Sequence, residues 1–310
     1  MSGLLERFRS GDRQALSRLL TNIENETPLG EEALQVLVAE TGRAHIIGLT
    51  GPPGAGKSTL ANQMVKHARR SGKRIAVLAI DPTSPFTGGA MLGDRIRMLE
   101  SQDDDGVYLR SMASRGQIGG LTLAAFGSAI VLDAFGFDIV LIETVGAGQD
   151  EVDIARLADS VVLVQTPGMG DSIQAVKAGI LEIADVLVVN KADQPGADEV
   201  VRDLREQVRG GTTASWRIPV LPVVAENGDG VDDLLAELAK HRTFAEQHKE
   251  IDRKRESRLH YHAKMLAVRE LTRFLNGAFE SPEESGDPAS RANQMIDSFI
   301  DAYRTATGKG

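Results

Sequence analysis

The chain contains no cysteine among its 310 residues. Disulfide bonds, thiolate metal sites and cysteine nucleophiles are therefore excluded. The absence is consistent with the reducing cytoplasm, where we expect the protein to reside. The first residues, MSGLLERFRSGDR, are charged and lack the apolar core of a secretory signal.

Positive charge is also in short supply. The chain has 35 lysine and arginine residues against 44 acidic ones, which gives a formal net charge of −9. Proteins that bind nucleic acids obtain much of their affinity by neutralising phosphates. The charge balance therefore predicts no nucleic-acid partner.

Uninterrupted apolar runs of membrane-spanning length are missing as well. One long and largely apolar stretch, residues 121–142, contains Asp133 and Asp138. Charged side chains inside a membrane span are costly. We therefore expect a buried helix followed by a central strand here, and no association with a membrane.

Short apolar runs do occur, and they alternate with helical patterns through the middle of the chain. The runs are AHIIGLTG, RIAVLAID, GVYLRS, DIVLIET, SVVLVQT, DVLVVNK and IPVLPVV. Most lack polar alternation, which is typical of strands covered on both faces. The repetition predicts an α/β fold with a doubly wound, mostly parallel sheet and right-handed crossovers.

The patterns divide the chain into three predicted parts. Residues 1–43 are predicted to be an N-terminal helical extension, residues 44–242 the α/β domain, and residues 243–310 a charged helical tail. The α/β domain holds the motifs described next.

The strongest motif lies between the first apolar run and a helical stretch. It consists of Gly51, Pro52, Pro53, Gly54, Ala55, Gly56, Lys57, Ser58 and Thr59. The glycines allow backbone N–H groups to turn onto phosphate oxygens, and the helix N-terminus adds its positive end. Lys57 can reach the β and γ phosphates, and the Ser58 hydroxyl can bind Mg²⁺. The strand–loop–helix context predicts a phosphate-binding loop.

A second motif, Asn190-Lys191-Ala192-Asp193, directly follows the run ADVLVV. An asparagine and a carboxylate at this spacing can read guanine, because the carboxylate accepts hydrogen bonds from N1–H and the exocyclic amine. Adenine presents the wrong donor pattern there. Placed after a phosphate loop, the motif predicts a preference for GTP.

Three acidic residues are candidates for a metal and water shell. Glu143 ends the run DIVLI and is followed three residues later by Gly146, and Asp81 ends the run RIAVLAI. Ligands bind at the carboxyl edge of open α/β sheets, where both residues are expected to lie. Asp94, in the loop GGAMLGDR, is the third candidate. For Asp81 and Asp94, a helix cap or turn role is the alternative.

Two glycine-rich segments follow predicted strand ends. Residues 146–151, which include Gln149, can move with the nucleotide state. Residues 166–177 carry the polar groups Asp171, Gln174 and Lys177, which are candidates for contact with nucleotide or a partner. Ordinary strand–helix loops remain the alternative for both segments.

Two features of the region after residue 240 are weaker indications of function. Four histidines lie there, at positions 241, 248, 260 and 262, without the spacing of a metal site. A basic run, RKRESR, occupies residues 253–258. We expect both features to belong to solvated helix surfaces.

Taken in order, five segments resemble one family. They are GPPGAGKST, DPTSPFTGGAMLGDRIRM, SRGQIGG, ETVGAGQDE and PGMGDSIQAVKAGILEIADVLVVNKAD. The sequence resembles the methylmalonyl-CoA mutase-associated GTPase chaperones, a family also described as arginine/ornithine transport kinases. The resemblance extends over nearly the whole chain.

The resemblance implies a homodimeric G-protein chaperone of an adenosylcobalamin-dependent acyl-CoA mutase, which gates cofactor loading and protects the mutase. Its ligands would be GTP or GDP and Mg²⁺. Lys57 and Ser58 would hold phosphate and Mg²⁺, and Asp193 would select guanine. Asp81, Asp94 and Glu143 would form the acidic shell. The 166–177 segment would be a third switch that reports the nucleotide state, and the tail would be a dimerisation arm.

The sequence departs from the family pattern at a few positions. The guanine-stacking loop, usually Ser-Ala-x, reads Val224-Ala225-Glu226 here, and the backbone N–H of Ala225 is expected to serve the base. Ser172, Met169 and Met112 also differ from the commonest residues. No arginine finger is identifiable, and Arg95, Arg97 and Arg115 stay open as sources.

Two alternatives of the same P-loop class remain at this point. A metal-insertion GTPase would need a histidine- or cysteine-rich metal relay, and the sequence contains none. A transport-linked kinase would transfer phosphate to a protein rather than to water.

Overall fold

The computed structural model describes residues 1–81, 104–113, 123–144, 150–168, 181–210, 216–278 and 287–307. Its strands are β1 (His45–Thr50), β2 (Ile75–Asp81), β3 (Val107–Ala113), β4 (Ile139–Thr144), β5 (Ser160–Gln165), β6 (Val186–Asn190) and β7 (Val220–Val223). In the described part they form one parallel sheet in the order β3-β2-β4-β1-β5-β6-β7. Each predicted apolar run forms a strand, and the predicted fold class is confirmed.

Helices cover both faces of this sheet. The α-helices of the described residues are α1 (Ser2–Arg9), α2 (Arg13–Glu24), α3 (Pro28–Leu37), α4 (Lys57–Arg70), α5 (Leu123–Ala134), α6 (Asp150–Leu157), α7 (Ala197–Gly210), α8 (Val231–Gln247), α9 (Glu250–Ala278) and α10 (Pro288–Thr307). A 3-10 turn, Val38–Glu40, follows α3.

The alternation of side chains along β5 shows how the two faces differ. Val164 packs in a core with Met64 of α4 and Leu238 of α8. Its neighbour Leu163 points to the opposite face and packs with Leu204 of α7. Successive strand residues point to opposite faces, so a strand buried on both sides must be apolar throughout. This is why the runs in the sequence lack polar alternation.

The apolar stretch at 121–142 forms a helix and a strand, as predicted. Helix α5 is buried along nearly its whole length, and β4 lies between β2 and β1 in the middle of the sheet. Asp133, at the end of α5, accepts hydrogen bonds from the backbone N–H groups of Gly42, Arg43 and Ala44. Among the described residues, no helix combines the length and apolar character that crossing a bilayer requires.

The N-terminal helices form a layer over α5. Asp12 caps α2 by accepting from the backbone N–H groups of Gln14 and Ala15, and Thr27 caps α3 before Pro28. The apolar side of α2 is fully buried, with Leu16, Leu19 and Leu20 in its centre. Burial of these side chains, rather than propensity alone, holds the extension in place.

The described residues divide into two compact units, Met1–Arg258 and Leu259–Gly310. Within the second unit, the rings of Phe274 and Phe299 meet edge to face, 5.3 Å apart. Helix α8 continues through residue 243 to Gln247. The three-part division at residues 43/44 and 242/243 stays a prediction.

The expectation that the histidines of this region are solvated is wrong for two of them. His241 and His262 are buried, whereas His248 and His260 are exposed. Burial lowers the pKa of His262 to about 4, and the positive charge of Arg269 acts in the same direction. The sequence patterns did not reveal that these two histidines are buried, because a single histidine has no periodicity.

The basic run at 253–258 is also more enclosed than expected. Arg258 is buried and donates to Oδ1 of Asp159 over 2.5 Å, and Lys254 pairs with Asp185 over 3.2 Å. Both carboxylates lie at the amino-terminal edge of the sheet, just before β5 and β6. The run therefore anchors the start of α9 to the sheet instead of forming a solvated face.

Candidate functional site

The phosphate-binding motif forms a tight loop between β1 and α4. Gly51 leaves the strand with a φ of 142°, and a Cβ at this position would lie 2.2 Å from the carbonyl oxygen of Val164 in β5. Only glycine fits such a close approach. The loop thus stays at the carboxyl edge of the sheet and ends at the N-terminus of α4, where unpaired backbone N–H groups attract anions.

Lys57 lies inside this loop. The residue is buried, and its Nζ donates to the carbonyl oxygens of Gly51 at 2.8 Å and Pro52 at 3.0 Å. These contacts hold the ammonium group within the loop, beside the N-terminus of α4. A positive charge in this position can stabilise phosphate oxygens.

Ser58 and Glu143 meet at the same edge. Strand β4 lies directly beside β1, and the register pairs Glu143 with Leu49, two residues before the loop. Glu143 is buried, and its Oε1 accepts a hydrogen bond of 2.5 Å from Ser58 Oγ. A hydroxyl and a carboxylate form a hard oxygen donor set, which suits Mg²⁺.

Asn190 connects the phosphate loop with the loop after β7. Its Nδ2 donates to the carbonyl oxygen of Ala55 at 2.8 Å, and its Oδ1 accepts from the backbone N–H of Ala225 at 3.0 Å. Gly56 has a φ of 83°, and a Cβ there would lie 2.3 Å from Asn190 Nδ2. The asparagine therefore braces two loops, a role that the motif alone did not predict.

The other residues of the predicted guanine site lie around this brace. Lys191 donates from Nζ to the carbonyl oxygen of Gly54 at 3.1 Å. Asp193 and Glu226 are exposed, Val224 is half-buried, and an isolated bridge pairs Val224 with Asp229. The carboxylate of Asp193 is therefore accessible to a ligand beside the loop.

The structure gives the N–H of Ala225 a protein partner, Oδ1 of Asn190, in addition to its expected role toward the base. A further residue, Gln63 of α4, supports this loop by donating from Nε2 to the carbonyl oxygen of Glu226 at 3.3 Å. Sequence reasoning missed Gln63, and no motif marks it.

Several predicted site residues lie outside the described part of the chain. Asp94, Gly146, Gln149, Asp171, Gln174 and Lys177 are in this group, together with the three arginines considered as an arginine finger. Asp81 ends β2 at the same sheet edge as Glu143, but its side chain is not among those described. The described site therefore consists of the phosphate loop, Glu143, the Asn190 motif and the 224–226 loop.

A phosphate loop braced by the asparagine of a predicted guanine-reading motif, on a parallel sheet, is typical of a P-loop GTPase. The sequence model described as methylmalonyl-CoA mutase-associated GTPase MeaB matches residues 16–280. The chain belongs to this family, and it catalyses the hydrolysis of GTP to GDP and phosphate. The predicted family and the predicted enzyme class are confirmed.

The chain is similar to several known proteins. A GTPase from Pyrococcus horikoshii is 41% identical over 309 residues, with 96% of this chain and 98% of the relative covered. The mouse protein named methylmalonic aciduria type A homolog, mitochondrial, is 34% identical over 246 residues, with 72% and 59% covered. The crystal structure of an LAO/AO transport system kinase matches with a TM-score of 0.72 at 22% identity, covering 97% of both chains. The similarity to this kinase structure is a similarity of fold.

Proposed function

We propose that the protein is a Mg²⁺-dependent G-protein chaperone of an adenosylcobalamin-dependent acyl-CoA mutase. Methylmalonyl-CoA mutase or a relative such as 2-hydroxyisobutyryl-CoA mutase would be the client. In this role, GTP hydrolysis gates cofactor loading and protects the mutase. The observation that carries the proposal is the match over residues 16–280 to a family whose description names methylmalonyl-CoA mutase.

The donor set at the carboxyl edge of the sheet fits Mg²⁺. Ser58 Oγ and Glu143 Oε1 lie 2.5 Å apart, and both are oxygen ligands of the kind Mg²⁺ prefers. We propose that these two residues, with Asp81 and Asp94, hold the ion and its bound waters. When bound, Mg²⁺ would neutralise charge on the β and γ phosphate oxygens.

The residues of the chain would contribute binding and orientation rather than covalent chemistry. Lys57 would place its charge against the β and γ phosphates, and the N-terminus of α4 would add backbone N–H donors. Asn190 would hold the phosphate loop and the base-binding loop in a fixed position relative to each other. Asp193 would accept hydrogen bonds from the guanine edge. Since no arginine finger is assigned, we expect slow intrinsic turnover that the partner accelerates by ordering the switch segments.

The test is the GTP hydrolysis rate of the purified protein with and without candidate acyl-CoA mutases. We expect one mutase to stimulate the rate, and Lys177→Ala to abolish the stimulation while nucleotide binding is kept. Lys240→Ala, on the exposed side of α8, is the matched control and should respond like the wild type.

Two outcomes would contradict the proposal. An unstimulated rate already as high as that of a stimulated GTPase would remove the need for a partner. Hydrolysis that no mutase changes would leave the GTPase activity and remove the chaperone role. Transfer of labelled γ-phosphate to a protein would instead favour the transport-linked kinase.

The second compact unit supports the proposal of a homodimer. On α10, Ile296, Ile300 and Tyr303 are 46%, 39% and 56% exposed. Their spacing places them along one side of the helix. Exposed apolar stripes of this kind are typical of protein–protein interfaces.

Light scattering on the full chain would test the dimer. The double substitution Ile296→Glu and Ile300→Glu should convert it to a monomer, because two carboxylates cannot be buried unpaired in an interface. Gln294→Ala, at an exposed position on the opposite side of the same helix, should leave the dimer intact. A wild-type protein that is monomeric at all concentrations would contradict the dimer proposal.

A further inference from the structure

A second concave site lies at the amino-terminal edge of the sheet. It has a volume of about 750 Å³ and is bordered by the starts of β1 and β4, the segment after α4, and helix α8. The phosphate loop leaves β1 at its other end, roughly 16 Å away for a strand of this length. This amino-edge cleft is therefore separate from the nucleotide site.

The walls of the cleft combine apolar and charged groups. Its apolar side chains include Ile47, Ile139, Leu235 and Leu238. Its charged rim consists of Arg43, Lys73, Arg242, Asp138, Asp232 and Glu246. Ligand sites of this size usually have an apolar lining and a few polar groups that fix the ligand's orientation.

The acidic groups of the rim already have protein partners. Asp138 accepts from the backbone N–H of Arg74 at 2.7 Å, and Asp232 pairs with His67. Glu246 accepts from Arg242 Nε at 2.9 Å. Each of these carboxylates therefore already accepts a hydrogen bond or forms a contact within the protein.

Two cations of the rim differ from these acidic groups in their side-chain contacts. Among the described residues, no side-chain partner is found for the guanidinium of Arg43 or the ammonium of Lys73. Both residues are exposed at the mouth of the cleft. The rim therefore has positive charge available to an anionic ligand.

The cleft wall includes the imidazole of His45. This residue is 5% exposed, and its Nε2 lies 2.7 Å from Ser160 Oγ. Within the described part of the chain, its Nδ1 has no hydrogen-bond partner, and it is absent from the fully enclosed unsatisfied atoms. A buried ring that lines the cleft thus leaves one nitrogen for a ligand.

A chain of hydrogen bonds holds the ring of His45 in place. Asp185 accepts from Nε2 of His241 at 3.2 Å, and Nδ1 of His241 lies 2.7 Å from Ser160 Oγ. Ser160 Oγ therefore lies between Nε2 of His45 and Nδ1 of His241. Because Ser160 holds Nε2, Nδ1 is the nitrogen of His45 that remains for a ligand.

The pKa values of two groups agree with this arrangement. Burial of Asp185 would raise its pKa, but the hydrogen bond from His241 and the charge of Lys254 outweigh burial and hold the pKa below its ordinary value. Burial lowers the pKa of His45 to about 4. Asp185 is thus ionised and His45 neutral at neutral pH.

We propose that the amino-edge cleft binds a hydroxylated aliphatic carboxylate. The aliphatic chain would cover Ile139 and Leu235, the carboxylate would lie against Arg43 and Lys73, and the hydroxyl would form a hydrogen bond with His45 Nδ1. The site is independent of the guanine nucleotide and of the proposed role toward a mutase.

The binding test uses three small probes that share one chain length. They are 3-hydroxyoctanoate, octanoate without the hydroxyl, and 1,3-octanediol without the charge. Binding to the full chain is measured by ligand-observed NMR, with saturating GDP and Mg²⁺ present to occupy the nucleotide site. We expect 3-hydroxyoctanoate to bind with a Kd of about 1 mM or tighter. Loss of one hydrogen bond or one exposed charge should weaken binding about fivefold.

Three variants connect the binding to the cleft. Ala239→Trp, at an exposed position of α8 that lines the cleft, should fill it and weaken binding more than about tenfold. Lys73→Gln should weaken the binding of both carboxylate probes, 3-hydroxyoctanoate and octanoate, about threefold to fivefold. His45→Phe should bring the affinity ratio of 3-hydroxyoctanoate to octanoate to about one. Lys240→Gln, outside the cleft, is the matched control.

Three results would overturn the proposal. The first is no binding of 3-hydroxyoctanoate at concentrations of about 10 mM. The second is unchanged binding in Ala239→Trp, which would place the probe elsewhere on the protein. The third is equal affinity of the wild type for 3-hydroxyoctanoate and octanoate, which would show that His45 does not bind the hydroxyl.

Discussion

Ser58 donates a hydrogen bond of 2.5 Å to the buried carboxylate of Glu143. The contact joins the first turn of α4 to the end of β4, two neighbours in space that are 85 residues apart in the chain. In the sequence, Glu143 is a candidate for the acidic shell because it ends the run DIVLI, three residues before Gly146. The structure brings its carboxylate to the hydroxyl of the phosphate-loop serine.

Glu143→Gln should lower the rate of GTP hydrolysis at saturating Mg²⁺ by about 10²-fold, because the amide keeps the shape of the side chain and removes its charge. GDP affinity should change less than about threefold. Steady-state hydrolysis and a fluorescent GDP titration would measure the two effects. Glu237→Gln, on the surface of α8, serves as control. A normal rate in Glu143→Gln would exclude the carboxylate from the acidic shell.

Asn190→Ala should destabilise the protein and weaken nucleotide binding together. The substitution leaves the Ala55 carbonyl and the Ala225 N–H without the amide that joins them, at a cost of about 1–3 kcal/mol in the free energy of unfolding. Urea unfolding with and without GDP would measure this. Asn227→Ala, which removes an exposed hydrogen bond to Asp229, should change stability far less. If both variants behave alike, Asn190 does not brace the loops.

Asp193→Asn should change the base preference from guanine to xanthine. The carboxylate accepts two hydrogen bonds from guanine, whereas an amide can donate to the additional carbonyl of xanthine. We expect GTP hydrolysis at low substrate to fall by about 10²-fold or more and XTP hydrolysis to rise. Asp198→Asn, in the first turn of α7, is the matched control. Retention of the GTP preference would show that Asp193 does not read the base.

The buried ring of His45 should make folding stability depend on pH. Burial lowers the folded-state pKa to about 4 from the ordinary value of 6.5. Between these values the unfolded chain binds more protons than the folded chain, so the free energy of unfolding falls as the pH falls. The contribution of His45 should decrease by about 2 kcal/mol from about pH 7.5 to about pH 5.

His45→Gln isolates this contribution. His262 has a pKa lowered to about 4 as well, so the wild type should lose stability through both histidines in this window. The variant should show a shallower dependence of the free energy of unfolding on pH, measured by urea unfolding at several pH values. Parallel curves for the two proteins would show that folding does not lower the pKa of His45.

The seven strands could be predicted because each is buried on both faces and therefore reads as a short apolar run. The phosphate loop and the Asn190 motif could be predicted because their chemistry depends on residues that are adjacent in sequence. The buried positions of His241 and Arg258 could not be predicted. Their partners Ser160 and Asp159 lie 81 and 99 residues away, and no local pattern connects them.

The sequence by itself determined the fold class, the GTPase motifs and the family, since periodicity, loop chemistry and motif order are properties of contiguous segments. Only the tertiary structure decided that Asn190 bridges Ala55 and Ala225, and that Glu143 accepts a hydrogen bond from Ser58. It also decided that His45 lines a cleft while its Nε2 contacts Ser160. These relationships depend on which strands become neighbours in the sheet, and strand order follows from the packing of the whole domain.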